Sequence, residues 1–407
     1  MNINSRRNFI KSMSGLAGAG MLGIPFLKPG GNLTMISHAT SNLITRKLGD
    51  TGIVLPVVSM GVMNSNNPNL VKEAWKSGIR HFDTAWVYQN GNNEKMVGNA
   101  LKEIKANRQN VIVATKTMLR NRMNGFAKGK EAREVILRQL NDSLSRLQMD
   151  YIDILYIHDV SSTDLINDPY IQDTFTELKT RKKIRFCGFT SHVHWPEIVN
   201  DAARKKFYDV ILLSFNISLG DDPTSINALK NASKAGIGLI AMKTQCQQDW
   251  YKHQLPSETQ KFYEGKIMNT ALLKWVLKHE YITTAVPGFT TFQQMEEDLV
   301  VMNNLEYSAE EKQFLSDRNI KLAMLGICRH CGKCMDSCPY RADIPSLMRV
   351  HMYSRVYGNA TQARQTMDQI HAHRGLDVCT ACNPCTAECS RSVPVSNRIA
   401  ELKELYC

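Results

Sequence analysis

The chain predicts an α/β protein, a (β/α)8 TIM barrel followed by a small, cysteine-rich C-terminal domain. Three observations carry that prediction. Short apolar runs alternate with amphipathic stretches from about Ile44 to Leu325. No G-x-G-x-x-G follows the first run, which weakens a doubly wound open sheet, the runner-up. Nine of the eleven cysteines fall in the last 80 of the 407 residues.

Eight apolar runs are candidate core strands: 58–63, 79–84, 111–115, 152–158, 184–189, 210–214, 238–242 and 282–286. Helical stripes lie between them, such as Val97, Ala100, Leu101 and Ile104, or Ile136, Leu140, Leu144 and Leu147, or Ala271, Leu272, Trp275 and Val276. Strands that are apolar throughout and separated by helices imply parallel pairing with both faces covered, and a barrel of about 250 residues closes that pattern economically. The segment 46–57, with Gly49, Asp50 and Gly52, predicts a hairpin under the barrel.

The N-terminus reads Ser5-Arg6-Arg7-Asn8-Phe9-Ile10-Lys11, followed by sixteen uncharged residues from Ser12 to Leu27. Sixteen is short of the roughly 20 apolar residues of a membrane span, and the run is rich in Gly, Ala and Ser. A basic start, a mildly apolar middle and the small-residue site at Ser37-His38-Ala39 make residues 1–39 a signal peptide. S-R-R-x-F-x-K resembles the twin-arginine export signal, which implies a periplasmic or otherwise exported protein that crosses already folded. An uncleaved anchor and a disordered basic tail are the alternatives. The net charge is +12, and losing the four positives of the leader leaves +8 with no basic tract of five or more. That argues against a nucleic-acid grip, and no stable membrane span is expected once the leader is gone.

In a parallel barrel the chemistry sits where strands end. Asp83 ends the second run with Tyr88 five residues on, Lys116 ends the third and His158 the fourth. Singly these read as a cap, a rim tyrosine, a snorkelling lysine and a satisfied histidine. Together they read as a proton-delivery set, in which an ammonium favours phenolate, a carboxylate holds the ammonium and an imidazole fixes a substrate oxygen.

Gly78-Ile79-Arg80-His81-Phe82-Asp83-Thr84-Ala85, with Tyr88 and Glu94, resembles the aldo-keto reductase signature. Lys116 in Val-Ala-Thr-Lys and His158 in Leu-Tyr-Ile-His complete the tetrad of that family. The resemblance covers about 46–304. It implies Tyr88 as general acid, Lys116 as its pKa modulator, Asp83 as the partner of Lys116 and His158 as orienter. It also implies a nicotinamide cofactor and a small carbonyl or alcohol substrate, sugar-like in kind. Gly188-Phe189-Thr190-Ser191-His192 is similar to the carboxamide-holding segment, with Ser191 where Asn is usual. Pro287-Gly288-Phe289-Thr290-Thr291 resembles the adenosine-phosphate loop, and Glu297-Asp298 stands where Glu-Asn is common. The loop around Gly288 and Thr290 has no Lys or Arg to meet a 2′-phosphate, so NADH is expected over NADPH. Leu212 replaces a common Gln, and Lys243 with Thr244 is placed to reach a pyrophosphate, although Gln245-Cys246-Gln247-Gln248 replaces the usual glycine-rich turn. His192 and His194 lack a third ligand nearby and are read as substrate or loop contacts rather than a metal site.

Cys328, Cys331, Cys334 and Cys338 follow C-x2-C-x2-C-x3-C, and Cys379, Cys382, Cys385 and Cys389 repeat it. This resembles the bacterial ferredoxin run, where three cysteines ligate one 4Fe–4S cluster and the fourth ligates the other. It implies two clusters, one on Cys328, Cys331, Cys334 and Cys389 and one on Cys379, Cys382, Cys385 and Cys338. Two zinc sites or four disulfides are the alternatives. Such an appendage characterises one branch of the aldo-keto reductases. The stretch 345–373 is expected to be helical, its Arg349, Arg355 and Arg364 offsetting the clusters or steering an acidic redox partner.

The domains expected are thus 1–39 (signal), 44–320 (barrel) and 321–407 (a small ferredoxin-like iron–sulfur domain). The function expected is an exported iron–sulfur oxidoreductase interconverting a carbonyl and an alcohol by hydride transfer. The alternative is an electron-transfer protein whose barrel no longer turns over a nicotinamide cofactor.

Overall fold

A hairpin opens the described chain. In the computed structural model, residues 43–121, 123, 125–220, 222–245, 257, 258, 261, 268–324, 327–380, 382 and 385–407 are described. The leader lies outside them, as does the replaced turn from Cys246 onward. β1 (Thr45–Lys47) and β2 (Val54–Pro56) pair antiparallel, as the Gly49/Gly52 spacing predicts. Leu48 and Leu55 plug the barrel floor against Ile112, Ile154, Tyr156, Val210 and Ile240.

The barrel sheet runs β3 (Met60–Gly61), β4 (His81–Asp83), β5 (Ile112–Thr117), β8 (Ile152–Ile157), β9 (Ile184–Ser191), β10 (Val210–Ser214), β11 (Gly238–Met242) and β12 (Thr284–Ala285), all parallel neighbours. A short hairpin, β6 (Arg120–Asn121) with β7 (Gly125–Phe126), follows β5. The ring closes where Val58 bridges Ala285 and where the Ser59 and Gly61 N–H groups donate to Ala285 O (2.8 Å) and Pro287 O (3.0 Å). A Cβ on Gly61 would lie 2.8 Å from Val286 O, so the seam needs glycine there. The two seam strands are shorter than their apolar runs, because closure is made by isolated bonds on either side of a two-residue ladder.

The helices Asn92–Glu103, Gly129–Leu147 and Met268–Leu277 cover the predicted positions except Ile104, which caps the first of them. One apolar cluster fills the layer between sheet and helices, and a second belongs to the cysteine-rich domain. That domain is built on Ile344–His351, a π-turn at Met352–Val356, Ala360–Asp368 and Val395–Tyr406. Residues 40–407 form one compact unit, with the cysteine-rich domain seated on the strand C-terminal end of the barrel. Arg349 donates two 2.8 Å bonds to the Asp159 carboxylate, and Arg120 stands 3.6 Å from Asp343. Asn359 donates to Asn64 (2.9 Å), and Gln365 donates to Val87 O (2.6 Å) and Asn90 (2.7 Å).

The three arginines of 345–373 therefore do structural work. Arg349 is buried on Asp159, Arg355 meets Glu401 at 3.7 Å, and Arg364 lies 5.1 Å above the Tyr406 ring. Among the described residues, no helix is long and apolar enough to cross a membrane.

Candidate active site

Strand register puts the tetrad together. Asp83 pairs with Ala114, so Lys116, two residues further along β5, faces the same interior side one layer up. Its Nζ donates to Asp83 Oδ1 (2.6 Å) and to Thr84 O (2.5 Å). The ammonium sits 4.9 Å from the Tyr88 ring centroid, and the His158 ring meets that ring edge-on at 5.8 Å. All four side chains are buried.

Tyr88 is held by the turn that follows β4. Gln89 and Asn90 take left-handed φ values of 49° and 54°, which places a sharp reversal just beyond the phenol. Asn93 accepts from Thr84 and donates to Val62 O and Ser65 O. The buried Glu94 accepts from Thr115 (2.6 Å) and pairs with Arg146 (3.1 Å), which also donates to Trp86 O. Glu94 thus works as the anchor of the Tyr88 turn.

The electrostatics differ from the sequence expectation in one respect. The ammonium was expected to make the phenol acidic. Instead burial, with the Asp83 charge second, pushes the Tyr88 phenol well above its ordinary pKa. The Lys116 Nζ is already engaged by Asp83 and Thr84 O. Burial also raises Asp83 and lowers Lys116, each opposed by the other's charge. Burial, aided by Lys116, takes His158 down to about 3, so its imidazole is neutral at physiological pH. Its Nδ1 is buried without a hydrogen-bond partner.

Asp83 and Tyr88 of the tetrad open into a cavity of about 170 Å³. Asp83, Tyr88 and His192 line it, with Lys243, Thr244 and Gln245 beyond β11 and Gly288 and Thr290 beyond β12. The cysteine-rich domain supplies its roof, through Tyr353, Val356 and Tyr357. No local pattern in the chain places these three here.

The expected carboxamide clasp does not form. The Thr190 hydroxyl accepts from Asp159 N–H (2.9 Å), and Ser191 donates to Val160 O (2.7 Å) and Val193 O (3.1 Å). Neither lines the cavity. They fasten the turn after β8, where Asp159 adopts φ +56°, and His192 takes the cavity face. Glu297 likewise points away and accepts from Gln293, while its neighbour Asp298 is buried and accepts from Gln245. Burial pushes the Asp298 carboxyl up to about 8. Lys243 turns inward at φ +57° rather than along the rim. Its Nζ is buried, unpartnered, and 5.2 Å from the Tyr353 ring centroid. Against the cost of burial, Arg349 and Arg120 hold the Asp159 carboxyl well below the usual range.

The cysteines gather into two cages. One is lined by Cys328, Cys331, Cys334 and Cys389, the other by Cys338, Cys379, Cys382 and Cys385. The fourth cysteine of each run has crossed to the other cage, as the ferredoxin pattern implies. All eight are free thiols. Each cage gathers the four cysteines that one 4Fe–4S cube would take. Backbone N–H groups of His330 and Arg391 point at Cys328 and Cys389 sulfurs, both at 3.4 Å. The first cage adjoins the cavity, since the His330 ring lies 6.4 Å from that of His192.

Two parts of the chain match known protein families. The Aldo/keto reductase family profile matches residues 61–248, and a 4Fe-4S dicluster domain profile matches 321–390. The chain is 27% identical over 302 residues to L-galactose dehydrogenase of Arabidopsis thaliana, covering 67% of this chain and 92% of the relative. It is 25% identical over 338 residues to L-glyceraldehyde 3-phosphate reductase of Escherichia coli O157:H7, covering 68% and 94%. The aldo-keto reductase AKR11C1 from Bacillus halodurans, in its holo form, shares the fold with a TM-score of 0.53 at 22% identity, over 67% of this chain and 94% of that one. These homologues support an oxidoreductase of the aldo-keto reductase type. This chain carries an aldo/keto reductase domain and, C-terminal to it, a 4Fe-4S dicluster domain.

Proposed function

We propose that the protein interconverts a carbonyl and an alcohol, with Tyr88 as proton donor, in an exported enzyme bearing two 4Fe–4S clusters. The observation that carries this reading is the convergence of Asp83, Tyr88, Lys116 and His158 in one buried cluster, of which Asp83 and Tyr88 line the cavity. A nicotinamide cofactor, NADH in preference to NADPH, would supply or accept the hydride. Gly288, Thr290 and Thr244 are the wall residues assigned to hold it. The neutral His158 and the Tyr88 hydroxyl orient the carbonyl oxygen by hydrogen bonds. As that oxygen gains charge, Tyr88 gives it the proton, a transfer that a high phenol pKa permits because an alkoxide is more basic still. Lys116, fixed by Asp83, stabilises the phenolate left behind. A sugar-like substrate accords with the names of the relatives. The Cys328 cage, against His192, is the one placed to exchange electrons with the cavity, and the second cage to meet a redox partner protein.

One observation favours a second reading. A cavity of about 170 Å³ is below the roughly 300–1,000 Å³ of small-molecule and cofactor pockets, which suits a barrel that has given up the nicotinamide. Anaerobically purified, cluster-loaded protein decides between the two. In the enzyme reading NADH reduces a panel of sugar aldehydes, and Tyr88→Phe lowers kcat/KM by at least about a hundredfold. If NADH neither binds nor is consumed, the second reading stands. Export and the domain limits 1–39, 44–320 and 321–407 belong to this proposal. A mature N-terminus at Met1 on cytoplasmic protein would overturn the export claim.

A further inference from the structure

Two side chains of the cavity have no part in the proton chemistry. Lys243 follows β11, and its Nζ is buried with no hydrogen-bond partner. Tyr353 comes from the cysteine-rich domain, and its ring lies 5.2 Å from that Nζ. They repeat across the cavity the arrangement of the floor, where Lys116 stands 4.9 Å from the Tyr88 ring. The repeat lacks one member. Lys116 has Asp83 as its counter-charge, and among the described residues no carboxylate stands in hydrogen-bond reach of Lys243.

Two other cations around the roof are paired with carboxylates. Arg349 makes a bidentate pair with Asp159, and Arg120 is paired with Asp343 and Asp159. Burial, with the Arg349 charge second, pulls the Lys243 amine well below its ordinary pKa, and an anion brought beside it would restore its charge. Solvent cannot do this, since the Nζ is buried beneath the roof. What reaches Lys243 must enter the cavity, whose wall it forms together with Tyr88 and Tyr353.

We propose that Lys243 and Tyr353 form an anion subsite, so that the compound turned over at Tyr88 carries a carboxylate or phosphate besides its carbonyl. This rests on the enzyme reading above and names its substrate class. It also gives the cysteine-rich domain a share in recognition, through the aromatic face that backs the lysine.

The test uses three sugars that differ at C6 alone: D-glucose, D-glucuronate and D-glucose 6-phosphate. Calorimetry on the anaerobic, cluster-loaded protein should find at least one of the two anions bound tighter than glucose by about tenfold or more. Whichever anion wins identifies carboxylate or phosphate as the source. Lys243→Met should abolish the difference, Lys243→Arg should keep a large part of it, and Tyr353→Phe should lower it only a few-fold. Equal binding of all three sugars, or no binding of either anion, overturns the proposal. So does a Lys243→Met protein that still discriminates. Weaker NADH binding in that variant, with discrimination intact, would assign the lysine to the cofactor. A shifted cluster potential alone would make it a counter-charge to the Cys328 cage. Tyr88→Phe should stop reduction while leaving the anion preference, so failure of the enzyme reading and failure of the subsite are separable.

Discussion

The floor and the roof of the cavity are built on different principles. The floor is set by β-register, because once β4 pairs with β5 and β5 with β8, Asp83, Lys116 and His158 have little freedom. The roof is set by docking. It depends on one buried ion pair, a few hydrogen bonds and two cysteine cages that hold the C-terminal helices in place. A floor of this kind tolerates local damage, whereas a roof of this kind fails as a unit.

The largest test of that contrast is iron content. With crossed ligation, Cys331→Ser combined with Cys389→Ser damages one cage only, although the two cysteines lie in different runs. About four of about eight iron atoms should be lost. Cys389→Ser combined with Cys379→Ser damages both cages and should lose nearly all. Should the first pair also empty the protein, ligation follows the runs rather than the cages, and the packing of the roof would need another explanation.

Next in size is the ion pair. Arg349→Ala leaves Asp159 buried with only Arg120 at 4.0 Å, and losing one partner of a buried pair typically costs about 3–5 kcal/mol. Asp159 immediately follows His158, so the damage reaches the floor. Denaturant unfolding should show the loss, and replacing both partners by apolar residues should recover much of it. A loss below about 1 kcal/mol would mean that the cages alone seat the roof.

The same division explains what the sequence disclosed. Asp83, Lys116 and His158 were legible because each ends an apolar run, and the cages because cysteine spacing encodes them. Thr190 and Ser191 read as cofactor contacts in the sequence and bond the turn opposite, 158–160, in the fold, since whether a strand-end hydroxyl faces a cavity or a backbone group depends on that turn. Arg349 was seen as a charge but not as a fastener, because its partner lies 190 residues away. Tyr353 gave no signal at all. Its position follows from how one domain rests on another, and no local periodicity records that. The three helical arginines show the same blindness, with composition suggesting a steering surface and packing giving each a private partner.

The smallest test concerns the floor alone. His81, in β4, is fully buried, and neither ring nitrogen has a hydrogen-bond partner. Burial, with Lys116 nearby, lowers its pKa to about 3, against about 6.5 in an unfolded chain. The folded state therefore holds the neutral ring, and its stability on this account is complete above pH 6.5. Below that the unfolded chain takes up a proton the folded one refuses, so stability falls, by about 2 kcal/mol between pH 6.5 and 5, until the folded ring titrates near 3. His158 should behave alike. His81→Leu removes an unsatisfied imidazole for a side chain of similar bulk, so at pH 7.5 its stability should match or exceed wild type. Its stability curve between pH 6.5 and 5 should be flatter by about 1.4 kcal/mol per pH unit. An unchanged slope would show that the imidazole reaches water or a partner when the barrel breathes. In that case the floor is less rigid than its register implies, and the contrast with the roof is one of degree.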